Sequence, residues 1–181
     1  MTDEKASLTN VNVRLAVGKD STLLAGYLRA LAEEERSVEL AEGEADESIA
    51  PPDDLVQRLE QHGPAGDSYF QAVIVEVDGS PKGMAMFSLA YDGLLAAPCV
   101  FMRHIFVEKE ARRNKLGTAM MVALARLCLN QGWPRIDWQV RRLDFNARPF
   151  FDGLCADGFK LHRLCYRADG QALASIANLP V

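Results

Sequence analysis

One segment of the sequence combines clustered cations, a turn and the start of a helix. It runs over residues 112–118 and reads Arg-Arg-Asn-Lys-Leu-Gly-Thr. The first turn of a helix presents unpaired backbone N–H groups and the positive end of the helix dipole, so it attracts anions. Arg112, Arg113 and Lys115 add positive charge, and Gly117 permits close approach of a ligand to the backbone. The segment therefore predicts a site for a phosphate or a pyrophosphate.

Two common phosphate motifs do not describe this segment. It is neither the GxxxxGK[ST] loop of nucleoside triphosphatases nor the GxGxxG fingerprint of dinucleotide-binding domains. An ordinary basic helix cap, with Gly117 packed against a sheet, would give a similar pattern. On this segment alone, both interpretations stay open.

A strand, a long helix and a second strand must position this segment. Residues 99–107 form an apolar run typical of a buried strand. Over 113–131, leucine and methionine recur on one helical face, and 136–140 return to a strand pattern. Together they predict one βαβ crossover, right-handed and with its helix packed on one face of the sheet.

The remaining segments predict hairpins and short helices. Residues 69–77 and 82–89 are β-prone and flank Asp78-Gly79, a dipeptide typical of a two-residue hairpin turn. The other predicted elements are strands over 11–17 and 159–166, a helix following Ser21, and helices over 53–59, 147–154 and 171–177. We therefore predict an α/β (α+β) fold, with a mixed, mostly antiparallel sheet, a central βαβ crossover and helices on both faces.

Two separate segments resemble the GNAT N-acetyltransferase superfamily. The Ile-Phe-Val triplet over 105–107, followed by residues 112–117, is similar to motif A of that family, in which a strand leads into Q/R-x-x-G-x-G/A. Downstream, residues 138–140 and 144–151 keep the spacing of the family's next strand and helix. Residues 166–173 near the end of the chain and the Asp78-Gly79 hairpin also resemble the diamine-acetyltransferase-like branch of the superfamily, so the resemblance runs from about Val11 to the end.

The resemblance implies an activity and a set of binding residues. A neutral primary amine of a small molecule would attack the thioester of acetyl-CoA directly. A backbone N–H near Phe106 or Val107 would stabilise the carbonyl oxygen. The residues implied in cofactor binding are Ile105, Phe106, Val107, Arg112, Arg113, Asn114, Lys115, Leu116, Gly117, Thr118, Asp144 and Phe150. A homodimer is also implied by the resemblance.

Several positions depart from the family pattern, mainly at catalytic groups. Lys115 stands where the first glycine of motif A belongs, and Phe151 replaces the tyrosine that serves as general acid. Arg103 and His104 replace a Glu-Asp pair. The binding frame is therefore kept better than the catalytic groups. A non-catalytic acyl-CoA sensor and a domain that binds another phosphate ligand remain alternatives to an N-acetyltransferase.

Three of the implied residues have competing structural roles. His104 is the candidate general base, but strand alternation puts it on one face with Met102 and Phe106, where a packed histidine is expected. Asp144 either contacts the pantetheine or caps the helix that follows it. Phe150 either lines the cofactor tunnel or packs in the core.

The acidic segment over 33–54 dominates the charge distribution. It holds ten of the 25 acidic residues against the single base Arg36, while the net charge of the whole chain is −5. An acidic lip that attracts a cationic ligand and a solvated, mobile loop are the two interpretations, and such composition by itself produces the second. An isoelectric point near 5.2 argues against nucleic acid as a partner.

Length and composition suit one domain over 11–181 that follows a flexible N-terminus over 1–10. The four cysteines lie in apolar runs without a CxxC pair, which predicts buried free thiols, and the three histidines form no metal motif. No apolar run approaches the roughly 20 residues that span a bilayer, so no membrane association is expected. The polar N-terminus predicts a cytoplasmic protein.

Overall fold

Five strands and four helices make up most of the described chain. The computed structural model describes residues 10–42, 50–140, 144, 147–154 and 175–178. The elements are β1 (Val11–Leu15), α1 (Ser21–Glu42), α2 (Leu55–His62), β2 (Gln71–Val77), β3 (Ser80–Asp92), β4 (Ala97–Val107), α3 (Leu116–Gln131), β5 (Ile136–Trp138) and α4 (Arg148–Leu154). Short 3₁₀ turns precede α1 and follow β4.

The strands form one sheet in the order β1-β2-β3-β4-β5. The first three pairings are antiparallel, and β4 pairs with β5 in parallel across α3. Asp78 and Gly79 have φ angles of 49° and 76°, so the predicted dipeptide makes the turn between β2 and β3 with both residues in the left-handed region. The predicted mixed, mostly antiparallel sheet with a βαβ crossover is confirmed.

Helices cover both faces of the sheet, as predicted. Alternate strand residues such as Ile74, Met84 and Phe106 pack with α1 and α2 in one buried cluster. The intervening residues, such as Val75 and Phe87, are buried as well but belong to the opposite face. The buried stripe of α3 contacts these strands and covers that second face. This stripe includes the methionine and leucine positions whose spacing predicted the helix.

Element boundaries differ from the sequence predictions at functional places. The acidic segment is not a loop at its start, because α1 continues through Glu42; glutamate, alanine, leucine and arginine all favour helix. α3 begins at Leu116 instead of 113, and β5 ends at Trp138 before reaching 140. The chain between β4 and α3 is therefore longer than expected, and it carries the clustered cations.

The chain divides into two compact units, Met1–Gln139 and Val140–Val181. The sheet with α1, α2 and α3 belongs to the first unit, and α4 belongs to the second. The strand predicted over 159–166 and the N-terminus over 1–9 lie outside the described residues, and only 175–178 of the last helical segment is described. The single domain over 11–181 stays a prediction.

Two of the four cysteines fall in the described chain, and both are buried free thiols as predicted, Cys99 and Cys128. Cys155 and Cys165 lie outside the described residues. Within the part that is described, no helix combines the length and apolar character that a bilayer crossing requires.

Candidate functional site

Strand β4 runs past its parallel neighbour. It pairs with β3 as far as Val107, whereas its pairing with β5 covers only Val100–Met102. From residue 104 to Val107, the edge of β4 on the β5 side therefore faces no strand of the described chain. Main-chain N–H and C=O groups on such an edge can pair with an extended ligand. The Ile-Phe-Val triplet lies on this part of β4.

A β-bulge at Arg103 marks the point where the two strands diverge. Met86 pairs with His104 and the next residue, Phe87, pairs with Met102, so Arg103 is the extra residue. A bulge bends its strand and increases the local twist. Gly83 keeps the end of β4 against β3, because a Cβ added there would clash with the Phe106 carbonyl oxygen.

The bulge corrects the predicted facing of His104. Cross-strand partners share a sheet face, and the consecutive residues Met86 and Phe87 point to opposite faces. His104 therefore lies on the face covered by α1 and α2, with Phe106, and not with Met102. Simple alternation was wrong here because it counts Arg103 as an ordinary strand residue.

Burial makes His104 a weak base. Desolvation, with a smaller contribution from the neighbouring charge of Arg103, lowers the pKa of His104 from 6.5 to about 4. The imidazole is therefore neutral near pH 7, but it has little affinity for a proton. A general base works best with a pKa near the operating pH. The environment of His104 thus favours the packed histidine over the catalytic one.

The pKa of His104 predicts a pH-dependent stability. Between about pH 6.5 and pH 4 the unfolded chain protonates this imidazole and the folded chain does not, so acidification lowers the free energy of unfolding. The loss from this residue is expected to reach about 2 kcal/mol at pH 5. Between pH 7.5 and pH 5, the free energy of unfolding measured in urea is expected to fall less for His104→Gln than for the wild type. Parallel curves for wild type, His104→Gln and the control His62→Gln would contradict the prediction.

The chain between β4 and α3 forms an amide-lined turn, which we define as Arg112–Thr118. Arg113 and Lys115 have φ angles of 65° and 60°, on either side of Asn114. Alternation of left-handed and ordinary conformations curls backbone N–H groups into an anion-binding concavity. The first intrahelical bond of α3 runs from the Ala119 N–H to the Lys115 carbonyl at 2.9 Å. The amides of the first three helical residues therefore precede the helical ladder.

These three residues are Leu116, Gly117 and Thr118, all among the predicted cofactor contacts. Among the residues that the structure describes, no side chain caps this helix end with a hydrogen bond. The exposed side chains of Arg113 and Lys115 add positive charge. Leu116 is instead buried at the base of the turn, so only its amide is available. The turn can accordingly bind an anion through main-chain groups, with the two cations beside them.

The left-handed conformation explains why the family has glycine at the position of Lys115. A side chain at positive φ costs roughly 1 kcal/mol, and glycine avoids this cost. Lys115→Gly is therefore expected to raise the free energy of unfolding by about 0.5–1 kcal/mol in urea denaturation. The control is Lys19→Gly, since Lys19 is exposed in a 3₁₀ turn and is not among the residues with positive φ. Glycine at residue 19 is expected to destabilise, and equal effects of the two changes would contradict the argument.

Arg112 is engaged by groups of the protein itself. Its Nε donates a hydrogen bond of 2.8 Å to the Val107 carbonyl, and its Nη2 lies 2.7 Å from both carboxylate oxygens of Glu34. The guanidinium carbon is 5.8 Å from the centroid of the Phe106 ring, within the range of a cation–π contact. The side chain thereby links the end of β4 to α1.

Helix α1 reaches this region through two side chains that lie two turns apart on one face. Tyr27 places its ring 5.4 Å from that of Phe106 and its hydroxyl 3.4 Å from Glu108 Oε1. Glu34, one of the acidic residues predicted to lie in a loop, binds Arg112 and has Lys109 Nζ at 3.8 Å. The side chain of Phe106 is thus part of the core.

Asp144 and Phe150 belong to the second unit and are described by themselves. The Ala147 N–H donates a 2.8 Å hydrogen bond to Asp144 Oδ1 just before α4, which is the capping role considered for this residue. Phe150 stacks edge to face with Phe151 at 4.8 Å between ring centroids. Phe151 is buried, which suits the core role of this aromatic pair.

The structure thus brings together residues 104–107 and 112–118 of the predicted site within one unit. Sequence reasoning missed Glu34, because a long-range ion pair leaves no local pattern. The sequence could have indicated only that Tyr27 and Glu34, seven residues apart, share a helical face and therefore reach the same region. The left-handed turn was also signalled, by the glycine that the family has in place of Lys115.

The fold and site define an α/β domain in which a βαβ crossover leads to an amide-lined turn, beside a strand edge that pairs with no strand in the described part of the chain. Comparison with known sequences gives the family. The sequence model of the acetyltransferase (GNAT) family matches residues 26–154, and the chain belongs to this family. The resemblance found in motif A is thereby confirmed.

Individual relatives are similar over different shares of their length. The chain is 31% identical over 99 residues to an L-ornithine N5-acetyltransferase of Arabidopsis thaliana, a match that covers 55% of this chain and 43% of that protein. Among solved structures, an integron cassette protein of the V. cholerae mobile metagenome superposes with a TM-score of 0.71 at 17% identity, covering 93% of this chain and 98% of that one. The aminoglycoside N-acetyltransferase AAC(6')-Iy in complex with CoA gives a TM-score of 0.66 at 18% identity, with coverage of 88% and 95%. Both structures share the fold.

Proposed function

We propose that the chain is an acetyl-CoA-dependent N-acetyltransferase that acts on a primary amine of a small molecule. The observation that carries this proposal is that two binding surfaces, a strand edge and an amide-lined turn, follow one another along the chain. The edge of β4 over 104–107, which pairs on its β5 side with no strand of the described residues, leads into the amide-lined turn over 112–118. Pantetheine has amides that pair with a strand edge, and the diphosphate of CoA is the anion that follows them.

The residues present fit this cosubstrate. The turn supplies main-chain amides at Leu116, Gly117 and Thr118 for the diphosphate, and Arg113 and Lys115 add charge. The edge of β4 supplies main-chain partners for the pantetheine. A backbone N–H near Phe106 or Val107 would bind the thioester oxygen as its negative charge develops.

Acetyl-CoA supplies the activated acyl group for the transfer. The amine nitrogen forms a bond to the thioester carbon, the carbon–sulfur bond breaks, and the sulfur leaves with the electron pair as a thiolate. The nitrogen then loses a proton and the thiolate gains one. Because His104 is weakly basic, we propose that water accepts the proton from the amine. Proton transfer by a side chain typically contributes about 10²–10⁴-fold, so its loss slows the reaction without abolishing it.

The names of the relatives support a small amine as acceptor. One relative is an L-ornithine N5-acetyltransferase, and a structural neighbour is an aminoglycoside N-acetyltransferase. The acidic composition of residues 33–54 also favours attraction of cationic molecules. We also propose that the protein is a homodimer, on the family resemblance alone, and that it is cytoplasmic, on the composition of its sequence.

A non-catalytic acyl-CoA sensor is the second candidate function. The weak basicity of His104 and the phenylalanine at position 151 favour it, because neither side chain serves as a proton acceptor or donor at neutral pH. In the sensor, acetyl-CoA binds and the thioester stays intact when amines are added.

Thiol release separates the two functions. Acetyl-CoA is mixed with the protein and a panel of amines, including L-ornithine, other amino acids, diamines and aminoglycosides. The enzyme is expected to release CoA thiol in proportion to protein only when an accepted amine is present. Binding of acetyl-CoA without amine-dependent release would select the sensor. Thermal stabilisation by ATP or NAD, but not by CoA, would contradict both and favour another phosphate ligand.

A further inference from the structure

An internal anion lies beside the amide-lined turn. The carboxylate of Glu34 has both oxygens 2.7 Å from Nη2 of Arg112, the first residue of the turn. A carboxylate and a phosphate offer arginine the same pair of acceptor oxygens, so they are interchangeable partners for a guanidinium. Glu34 therefore has the chemistry of the ligand that this turn is built to bind.

The position of Glu34 is fixed by the packing of α1. Tyr27, two helical turns earlier, is buried against Phe106 and bonded to Glu108. Glu34 is consequently held above the chain that leaves β4, where it also has Lys109 Nζ at 3.8 Å. Lys109 and Arg112 are thus both paired with one carboxylate, which belongs to α1.

The ion pair between Glu34 and Arg112 is weak enough for Arg112 to exchange Glu34 for another anion. The side chains of Glu34 and Arg112 are 26% and 41% exposed, so solvent screens their attraction. Partly exposed ion pairs contribute little free energy. A diphosphate that carries more charge and is held by several amides as well would outcompete a single carboxylate.

We infer that Glu34 is a built-in competitor of the cosubstrate diphosphate for Arg112. Loading of CoA exchanges the Glu34–Arg112 pair for a pair between Arg112 and the diphosphate. Glu34 accordingly sets the affinity for CoA below the value that the turn itself would give. This inference rests on the proposed binding of CoA.

The test compares two ligands and two adjacent substitutions by calorimetry. Glu34→Gln keeps the shape of the side chain and removes its charge. Glu33→Gln changes the net charge equally, but Glu33 is 74% exposed and lies 3.6 Å from Arg36 instead of the turn. Glu34→Gln is expected to lower the Kd for CoA by roughly two- to tenfold, and Glu33→Gln by much less. For pantetheine, which has no diphosphate, neither substitution is expected to change the Kd.

Three outcomes overturn the inference. An unchanged Kd for CoA in both Glu34→Gln and Glu34→Ala means that no exchange occurs; the alanine variant is included because the amide introduced by Glu34→Gln can still accept a neutral hydrogen bond from Arg112. A higher Kd means that Glu34 positions Arg112 for the ligand instead of competing with it. An equal gain in Glu33→Gln means that only net charge matters. Wild-type protein that does not bind CoA refutes the proposed function, whereas binding without the Glu34 effect refutes only the inference.

Discussion

Replacing Gly117 by aspartate is expected to weaken CoA binding by at least about a hundredfold. Gly117 is the second residue of α3, where its amide and those of its neighbours precede the helical ladder. A carboxylate at this position accepts the same amides and repels the diphosphate. Loss of two charge-assisted hydrogen bonds, at about 1.5–3 kcal/mol each, corresponds to a hundredfold or more in Kd.

The same substitution is not expected to destabilise the fold. Negative side chains in the first turn of a helix interact favourably with the helix dipole, typically by about 0.3–1 kcal/mol. Gly117→Asp should therefore lower the affinity for CoA without lowering the free energy of unfolding. This result distinguishes a lost binding site from a misfolded chain. Calorimetry with CoA and urea unfolding measure the two quantities.

Gly93→Asp is the control for this experiment. Gly93 lies in the connection between β3 and β4, and a Cβ added there would meet no atom within 4 Å. The substitution adds the same charge away from the turn. Equal Kd values for CoA in wild type, Gly93→Asp and Gly117→Asp would show that the amides of α3 do not bind the diphosphate.

Local patterns predicted the elements that carry the site. The apolar run of β4 and the stripe of α3 are local features of the sequence, and they fixed the βαβ crossover. The hairpin at Asp78-Gly79 was equally predictable, because a two-residue turn with positive φ angles favours the Asp-Gly dipeptide. The phosphate-binding interpretation of residues 112–118 depended on these elements alone.

Features that depend on pairing between distant residues could not be read in advance. The bulge at Arg103 exists only relative to the register of β3, and it reversed the facing of His104. The pair of Glu34 and Arg112 joins residues 78 positions apart. Composition alone suggested a loop for 33–42, since it could not weigh helix propensity against charge. Long-range geometry therefore determined these side-chain contacts, whereas the strands and helices followed from local patterns.

Asp20→Ala is expected to lower the free energy of unfolding by about 2–3 kcal/mol, because the buried carboxylate accepts hydrogen bonds from a cation and a backbone amide that alanine cannot replace. Asp20 is 6% exposed, and its carboxylate accepts hydrogen bonds from Arg14 Nη1 at 2.8 Å, Arg14 Nη2 at 2.9 Å and the Val17 amide at 2.8 Å. Glu76, whose Oε1 lies 2.8 Å from Arg14 Nε, remains as a partner of Arg14 and therefore offsets only part of this loss of stability.

Burial, and not the distance between the charges, determines this effect. Asp54 and Arg58 form an ion pair at the same 2.8 Å, but their side chains are 54% and 56% exposed. Asp54→Ala is therefore expected to change the free energy of unfolding far less than Asp20→Ala does. Urea unfolding of the two variants at pH 7 tests the comparison. Similar losses from both would mean that burial does not govern these pairs.

Acid is expected to remove the difference between wild type and Asp20→Ala. Hydrogen bonding from Arg14, more than any other contact, lowers the pKa of Asp20 below its ordinary value of 3.8. The contribution of Asp20 to stability is thus complete above about pH 4 and is lost as the pH falls through the lowered pKa. Urea unfolding of wild type and Asp20→Ala over a series of falling pH values measures this convergence, and a constant difference between the two would contradict it.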